Sequence, residues 1–339
     1  MRAGATRFLG LALTIVFLVL ALQRVDLAGF VDELKRVNYV WILPAAALTL
    51  LGYLVRTVRW RVILSGAARA PVKTLFPILV MGFATNNLLP GRLGEFWRAY
   101  LLGRKQNVSK TFALASVVVE RVFDGLTLLA LLAIVSMNIQ LPGWGREVEL
   151  FAAGVFFVAT VFLVVLVRWP KMVQVPLYAI LGRFHGGAAE WIGVRFAAFV
   201  DGLAPLRSTR VLLSAAALSM LVWVCEFGSY AMLARGVNLG LPPTVAFPAL
   251  GLALVTINLG IMVPSGPGYV GTQEFFGTAA LGVAGANPQS ALALVVVSHI
   301  VQYTLITVLG LVFFAREHLW PQQVRQRSMP DPALAEPAS

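Results

Sequence analysis

Residues 82–103 read GFATNNLLPGRLGEFWRAYLLG, and the fold turns on them. An apolar run halts at Asn86 and Asn87, breaks at Pro90 and Gly91, and resumes at once with Arg92, Glu95 and Arg98. A second stretch, IMVPSGPGYVGTQEFFG at 261–277, has the same order of parts: apolar segment, Pro/Gly break, Glu-Phe pair. The remaining chain reads as the scaffold that places these two breaks.

Around them, hydrophobic residues make up 59% of the chain and charged residues 12%. A soluble domain carries about twice that charged fraction, and several apolar runs here exceed the ~18 residues that suggest a bilayer-crossing helix. The sequence therefore predicts an all-α polytopic membrane protein. Its formal net charge is +12. The basic residues sit at the ends of apolar segments, as the positive-inside rule expects, which argues against nucleic acid as the partner. The single cysteine, Cys225, allows neither an intramolecular disulfide nor a cysteine metal cluster. The N-terminal run looks like a signal peptide in charge and length. It is followed by Gln23, Arg24, Val25 and Asp26 rather than a cleavage site, so it is read as a retained helix.

Six spanning segments are expected at about 7–24, 40–63, 111–137, 150–167, 210–234 and 288–314, with the two broken elements at 74–103 and 244–284. A mixed-charge loop with Asp26, Asp32, Glu33, Lys35 and Arg36 follows the first segment. Residues 1–316 form one transmembrane domain, and 317–339 a short disordered cytoplasmic tail. An insertion at 172–209 carries Ile192, Phe196, Phe199 and Leu203 at helical spacing, which suits either an amphipathic helix on the membrane surface or a short helix packed on a loop.

Charge sets the topology. Arg2 and Arg7 place the N-terminus in the cytoplasm. Arg56, Arg59 and Arg61 bring the second segment back there, and Arg104 to Lys110 belong on the same side. The element between must then enter and leave from the cytoplasm, as a re-entrant hairpin. Extending the rule puts both termini inside and makes the second broken element dip in from outside. The order span, span, hairpin, span then occurs twice with opposite orientation, about 7–139 and about 150–316, an inverted repeat of the kind common in transporters. Glu95-Phe96-Trp97 and Glu274-Phe275-Phe276 lie 179 residues apart, and at that offset Glu120 faces His299.

Broken helices at membrane depth leave backbone groups that only protein or a water-lined cavity can satisfy. The break residues are Asn87, Pro90, Gly91 and Gly94 in the first element, and Pro264, Gly266, Pro267, Gly268 and Gly271 in the second. Half-helices starting near Gly91 and Gly271 would present N-termini that attract anions. A plain loop between two short spans is the alternative. Ionisable residues inside apolar runs are costly, about 2.5–3.5 kcal/mol each, yet Glu120, Arg121 and Asp124 cluster in VVVERVFDGLTLL, and Glu226, His299 and Gln302 lie in apolar runs further on. The functional reading is a polar cavity between the repeats. Arg92, Arg98 and Arg121 would meet a phosphate there, while Glu95, Glu120, Asp124, Glu274 and His299 balance charge or relay protons. The alternative is mutual neutralisation that only fixes helix packing. His185, His299 and His318 have no metal-ligand spacing, Ser265 is in no nucleophile elbow, and no P-loop or dinucleotide fingerprint is present. No cofactor or metal is expected.

Three motifs carry a family resemblance: Pro90, Arg92, Gly94, Glu95 and Arg98; then Glu120, Arg121 and Asp124; then Pro264, Pro267, Gly268, Gly271 and Glu274. Together they resemble the flippase-like membrane family that includes the transmembrane part of lysylphosphatidylglycerol synthase, over about 7–316. The resemblance implies movement of a lipid between leaflets of the cell membrane. It implies an anionic, aminoacylated or glycosylated cargo, and no synthase activity, since the soluble aminoacyl-transferase part has no counterpart here. The expected partners are the lipid cargo, the bilayer, and a second copy or an envelope-lipid synthase. A membrane-embedded enzyme acting on a lipid head group, or an accessory scaffold, are the other readings.

Overall fold

A chain in hydrocarbon can satisfy its backbone polar groups internally only as helix or as closed barrel. In the computed structural model of this protein every regular element among the described residues is helical. The structure describes residues 2–327 except 24, 67–69, 90–91, 107, 140–142, 182–186 and 263–265. Thus Pro90, Gly91, Pro264 and residues 328–339 of the expected tail lie outside the described residues.

The helices are α1 (Arg2–Leu22), α2 (Leu27–Arg36), α3 (Ile42–Ile63), α4 (Val72–Leu88), α5 (Leu93–Gln106), α6 (Lys110–Ser136), α7 (Gly143–Arg168), α8 (Pro170–Leu181), α9 (Gly187–Gly202), α10 (Thr209–Ala234), α11 (Pro243–Gly260), α12 (Thr272–Val283) and α13 (Pro288–Arg327). Among the described residues, α3, α10, α11 and α13 are long and apolar enough to cross a membrane, and the bent pairs α1/α2 and α7/α8 raise that to as many as six. The helix expected as the third span, α6, has the length but also carries Lys110, Glu120, Arg121 and Asp124.

Both broken elements are helical hairpins. In the first, Gly94 lies directly on the Gly82 carbonyl, so α4 and α5 close back on each other backbone to backbone. In the second, the Thr256 hydroxyl reaches the Phe276 carbonyl at 3.3 Å and Gly260 lies on the Phe276 ring, closing α11 on α12. One difference from expectation is that α11, with no charged residue, could itself span a membrane.

The repeats pack as a pair. Helix α3 runs antiparallel to α10, with Thr49 against Ser229 (3.0 Å) near one end and Arg59 on Ser219 (2.8 Å) near the other. The first arm of each hairpin packs on the last helix of the opposite repeat, α4 on α13 and α11 on α6. The 179-residue offset also appears in backbone geometry: Arg92 (φ 54°) and Gly271 (φ 80°) take the left-handed conformation immediately before α5 and α12.

Three expectations change. The mixed-charge loop is the helix α2, because Asp26 caps it by accepting from the Ala28 and Gly29 N–H groups. The insertion contains a helix, α9, but Phe196, Phe199 and Leu203 pack with Ala115 and Val119 of α6 rather than facing outward, and only Ile192 of that stripe stays exposed. The tail from 317 begins as helix, since α13 continues to Arg327.

Candidate functional site

Desolvating one charge is expensive unless an opposite charge meets it, and α3, α5, α6 and α10 solve this together. Arg98 reaches Glu120 at 2.6 Å, Arg59 reaches Asp124 at 2.6 Å, Arg56 reaches Glu226 at 3.2 Å and Arg121 reaches Glu95 at 3.4 Å. Longer contacts join these pairs into one network: Arg59–Glu120 at 3.5 Å, Arg56–Asp124 at 3.6 Å, Arg121–Asp124 at 3.7 Å and Arg92–Glu95 at 3.9 Å. The network is graded. Arg59 and Glu120 are about 1% exposed, whereas the Arg121 side chain is 31% exposed, toward a cavity. Aromatic faces support the guanidiniums: Arg98 lies 4.2 Å from the Trp60 ring, and Arg56 and Arg121 each lie 5.9 Å from Phe83, within cation–π range.

The cavity, about 130 Å³, lies between the two hairpin tips. Arg92, Glu95, Arg121, Asp124 and His299 line it, as expected from sequence. Arg98, Glu120 and Glu274 do not: Arg98 and Glu120 are spent on each other deep in the network, and Glu274 is turned back onto its own helix. At the tips, Arg92 donates to the Ile261 carbonyl at 2.9 Å, tying one break to the other. Buried Arg56 Nε, Arg121 Nε and Asp124 Oδ2 have no hydrogen-bond partner among the described residues. Two of these atoms are held by ion pairing instead: Arg121 Nε faces Glu95 at 3.4 Å, and Asp124 Oδ2 lies 3.6 Å from Arg56 and 3.7 Å from Arg121.

One N–H at each half-helix start already has a side-chain acceptor. The Gly94 N–H donates to Asn86 Oδ1 at 2.8 Å, and the Gly271 N–H donates to Glu274 Oε2 at 2.7 Å. A free N–H at membrane depth is costly, so each hairpin supplies its own acceptor. Among the other break residues, Asn87 donates to Thr307 at 3.0 Å, the Gly266 N–H donates to Thr14 at 3.0 Å, and Pro267 and Gly268 form a tight turn with Tyr269.

Sequence reading missed Arg56 and Arg59 as site residues because they were counted as cytoplasmic anchors. Both are buried in the network, and of that trio only Arg61 is exposed. The signal was present: Arg56 stands inside the apolar run LLGYLVRTV, not beyond its end. Tyr53, Trp223, Asn258, Gln273 and Tyr303 also line the cavity, and no charge pattern marks them. An apolar groove of about 610 Å³ lies beside it, walled by α6, α10 and α11, and Trp223 lines both spaces.

A family profile described as the lysylphosphatidylglycerol synthase TM region matches residues 7–310, which include both hairpins, the Arg/Glu network and the Glu/His pair. The chain belongs to that family. Among similar proteins, Glycosyltransferase AglD of Haloferax volcanii is 24% identical over 89% of this chain, which spans 52%, about half, of that relative's length. A UPF0104 membrane protein of Methanothermobacter thermautotrophicus is 25% identical over 82% of this chain and 86% of its own. Another from Methanocaldococcus jannaschii is 29% identical over 34% of this chain and 35% of its own. No solved structure matches the chain.

Proposed function

We propose that this protein is a lipid flippase or lipid transporter of the cell membrane, moving an anionic, aminoacylated or glycosylated lipid between leaflets. The supporting observation is the adjacency of a charge-lined cavity and an apolar groove with Trp223 as their shared wall. A lipid needs both at once, a polar enclosure for its head group and an apolar path for its chains. The network joins five guanidiniums (Arg56, Arg59, Arg92, Arg98, Arg121) to four carboxylates (Glu95, Glu120, Asp124, Glu226), leaving a formal excess of one positive charge for a phosphate. Arg121 and Arg92 make the longer ion pairs of the set and face the cavity, so they are the head-group contacts, while Arg59 and Arg98 hold the network. The relative named as a glycosyltransferase keeps a glycosylated lipid among the cargoes.

The chain acts as a transporter rather than an enzyme, with both termini cytoplasmic, and works beside a second copy of itself or an envelope-lipid synthase. Reconstituted protein should move a fluorescent anionic phospholipid between leaflets. Arg121→Ala and Arg92→Ala, with unchanged size-exclusion profiles, should abolish that movement. Wild-type rates in both folded variants would remove these residues from the site.

A further inference from the structure

His299 on α13 makes two short contacts, and their chemistry constrains its protonation. Its Nδ1 lies 2.6 Å from Glu274 Oε1 and its Nε2 lies 2.7 Å from the Gly268 carbonyl oxygen. A carbonyl oxygen can only accept, so Nε2 must carry a hydrogen. The contact at Nδ1 then has two solutions. Either Nδ1–H donates to an ionised carboxylate, or a protonated Glu274 donates to a bare Nδ1. Both place one proton more on the pair than a neutral imidazole beside a carboxylate would hold.

We infer that Glu274 and His299 form a proton-binding site that latches the tip of the second hairpin, a site that would couple proton movement to the lipid transport proposed above, on which its role in coupling rests. The latch is built from three joined contacts. The other oxygen of Glu274 holds the Gly271 N–H at 2.7 Å, His299 holds the Gly268 carbonyl, and Gly268 with its neighbour Tyr269 occupies left-handed backbone (φ 69° and 59°). Such a conformation persists at Tyr269 only while its surroundings impose it. Loss of the proton breaks one N–H or O–H bond, leaves the electron pair on that atom, and passes the proton to water in the cavity, which His299 lines. A lone pair then confronts either the Gly268 carbonyl or the Glu274 carboxylate. The two accepting groups repel, which releases either the turn at 267–269 from His299 or Glu274 from His299, and in both cases the three-contact latch is broken. The latch is therefore made at lower pH and lost as pH rises.

The charged and titratable groups around this pair leave it as the proton carrier. From α12 it meets Glu274. From its own helix it meets Tyr303, whose ring centroid is 6.2 Å away. Tyr230 of α10 approaches through Gln273, at 3.4 Å. Across the cavity stand Tyr269, Arg56, Arg92, Arg121, Glu95, Asp124 and Glu226, and the three carboxylates among these already face arginines.

The test has two arms. Protein labelled with ¹⁵N-histidine and placed in lipid nanodiscs should show, at about pH 7, a ring absent from His299→Gln with both nitrogens protonated, or else a protonated-carboxyl infrared band absent from Glu274→Gln. A neutral ring together with an ionised carboxyl overturns the site. In proteoliposomes, an imposed pH difference should change the initial rate of phospholipid movement in wild type, and this response should vanish in His299→Gln. A wild-type rate indifferent to the pH difference overturns the coupling while leaving lipid transport intact. Absence of lipid movement at any pH removes the transport reading instead, and the spectroscopic arm still decides the proton site.

Discussion

In the first hairpin Glu95 stands 25 residues before Glu120; in the second Glu274 stands 25 residues before His299. The shared spacing places each pair at the junction of a hairpin's second arm with the helix that follows. In the second repeat the two residues touch. In the first they do not, because each has been recruited by arginines, Glu95 by Arg121 and Glu120 by Arg98 and Arg59. The comparison teaches that one scaffold register supports two electrostatic solutions. Repeat one neutralises by a network of fixed charges. Repeat two sets a carboxylate against an imidazole, with no arginine in the pair. The position matching Arg98 at the 179-residue offset is Gly277, packed against Val295 and Ile257, so the second repeat brings no guanidinium of its own from that position.

The sharpest way to break this contrast is to remove an anion from the first repeat. Asp124→Ala strands Arg59, Arg56 and Arg121 without their shared carboxylate. Breaking a buried pair costs about 3–5 kcal/mol, so thermal unfolding in detergent should show a destabilised or unfolded protein. His299→Gln keeps a polar partner and should lose far less. An unaltered melting temperature for Asp124→Ala would mean that the network does not hold the helices.

A smaller effect separates the hairpins' glycines. A methyl on Gly94 runs into the Gly82 carbonyl, which is backbone and cannot turn aside, whereas one on Gly277 meets only side-chain methyls of Val295 and Ile257. Overpacking costs about 1–3 kcal/mol, and Gly94→Ala should fall at the upper end with Gly277→Ala below it in the same melting experiment. The reverse order would show that the second hairpin is the more rigid.

The smallest effect belongs to the tip. Arg92→Gly relieves a left-handed residue, a gain of roughly 1–2 kcal/mol, and loses the bond to the Ile261 carbonyl, a net loss of about 0.5–1.5 kcal/mol, or somewhat more for a charged donor. Stability should change by less than about 1 kcal/mol, while lipid movement falls as it does for Arg92→Ala. A large stability loss would make Arg92 a structural tie rather than a head-group contact.

The hairpins and their register were legible because Pro, Gly and charge interrupt apolar runs, and such interruptions are rare in hydrocarbon and need a reason. Five of the eight candidate residues line the cavity for the same cause: an ionisable group in an apolar run must face a polar interior. Arg56 and Arg59 were misread because a basic residue near the end of a span has two physical solutions, reaching out to the head groups or turning inward to a carboxylate, and spacing along one helix does not choose between them.

Sequence by itself determined the membrane class, the two breaks and the offset that relates them, since each follows from the cost of exposing backbone or charge to lipid. Only the tertiary structure decided which charges meet. Pairing depends on which helices lie within a few ångströms. It set α3 against α10, drew Arg59 onto Asp124 and Arg98 onto Glu120, gave one N–H at each hairpin's second arm a side-chain acceptor, and brought His299 between Glu274 and the Gly268 carbonyl.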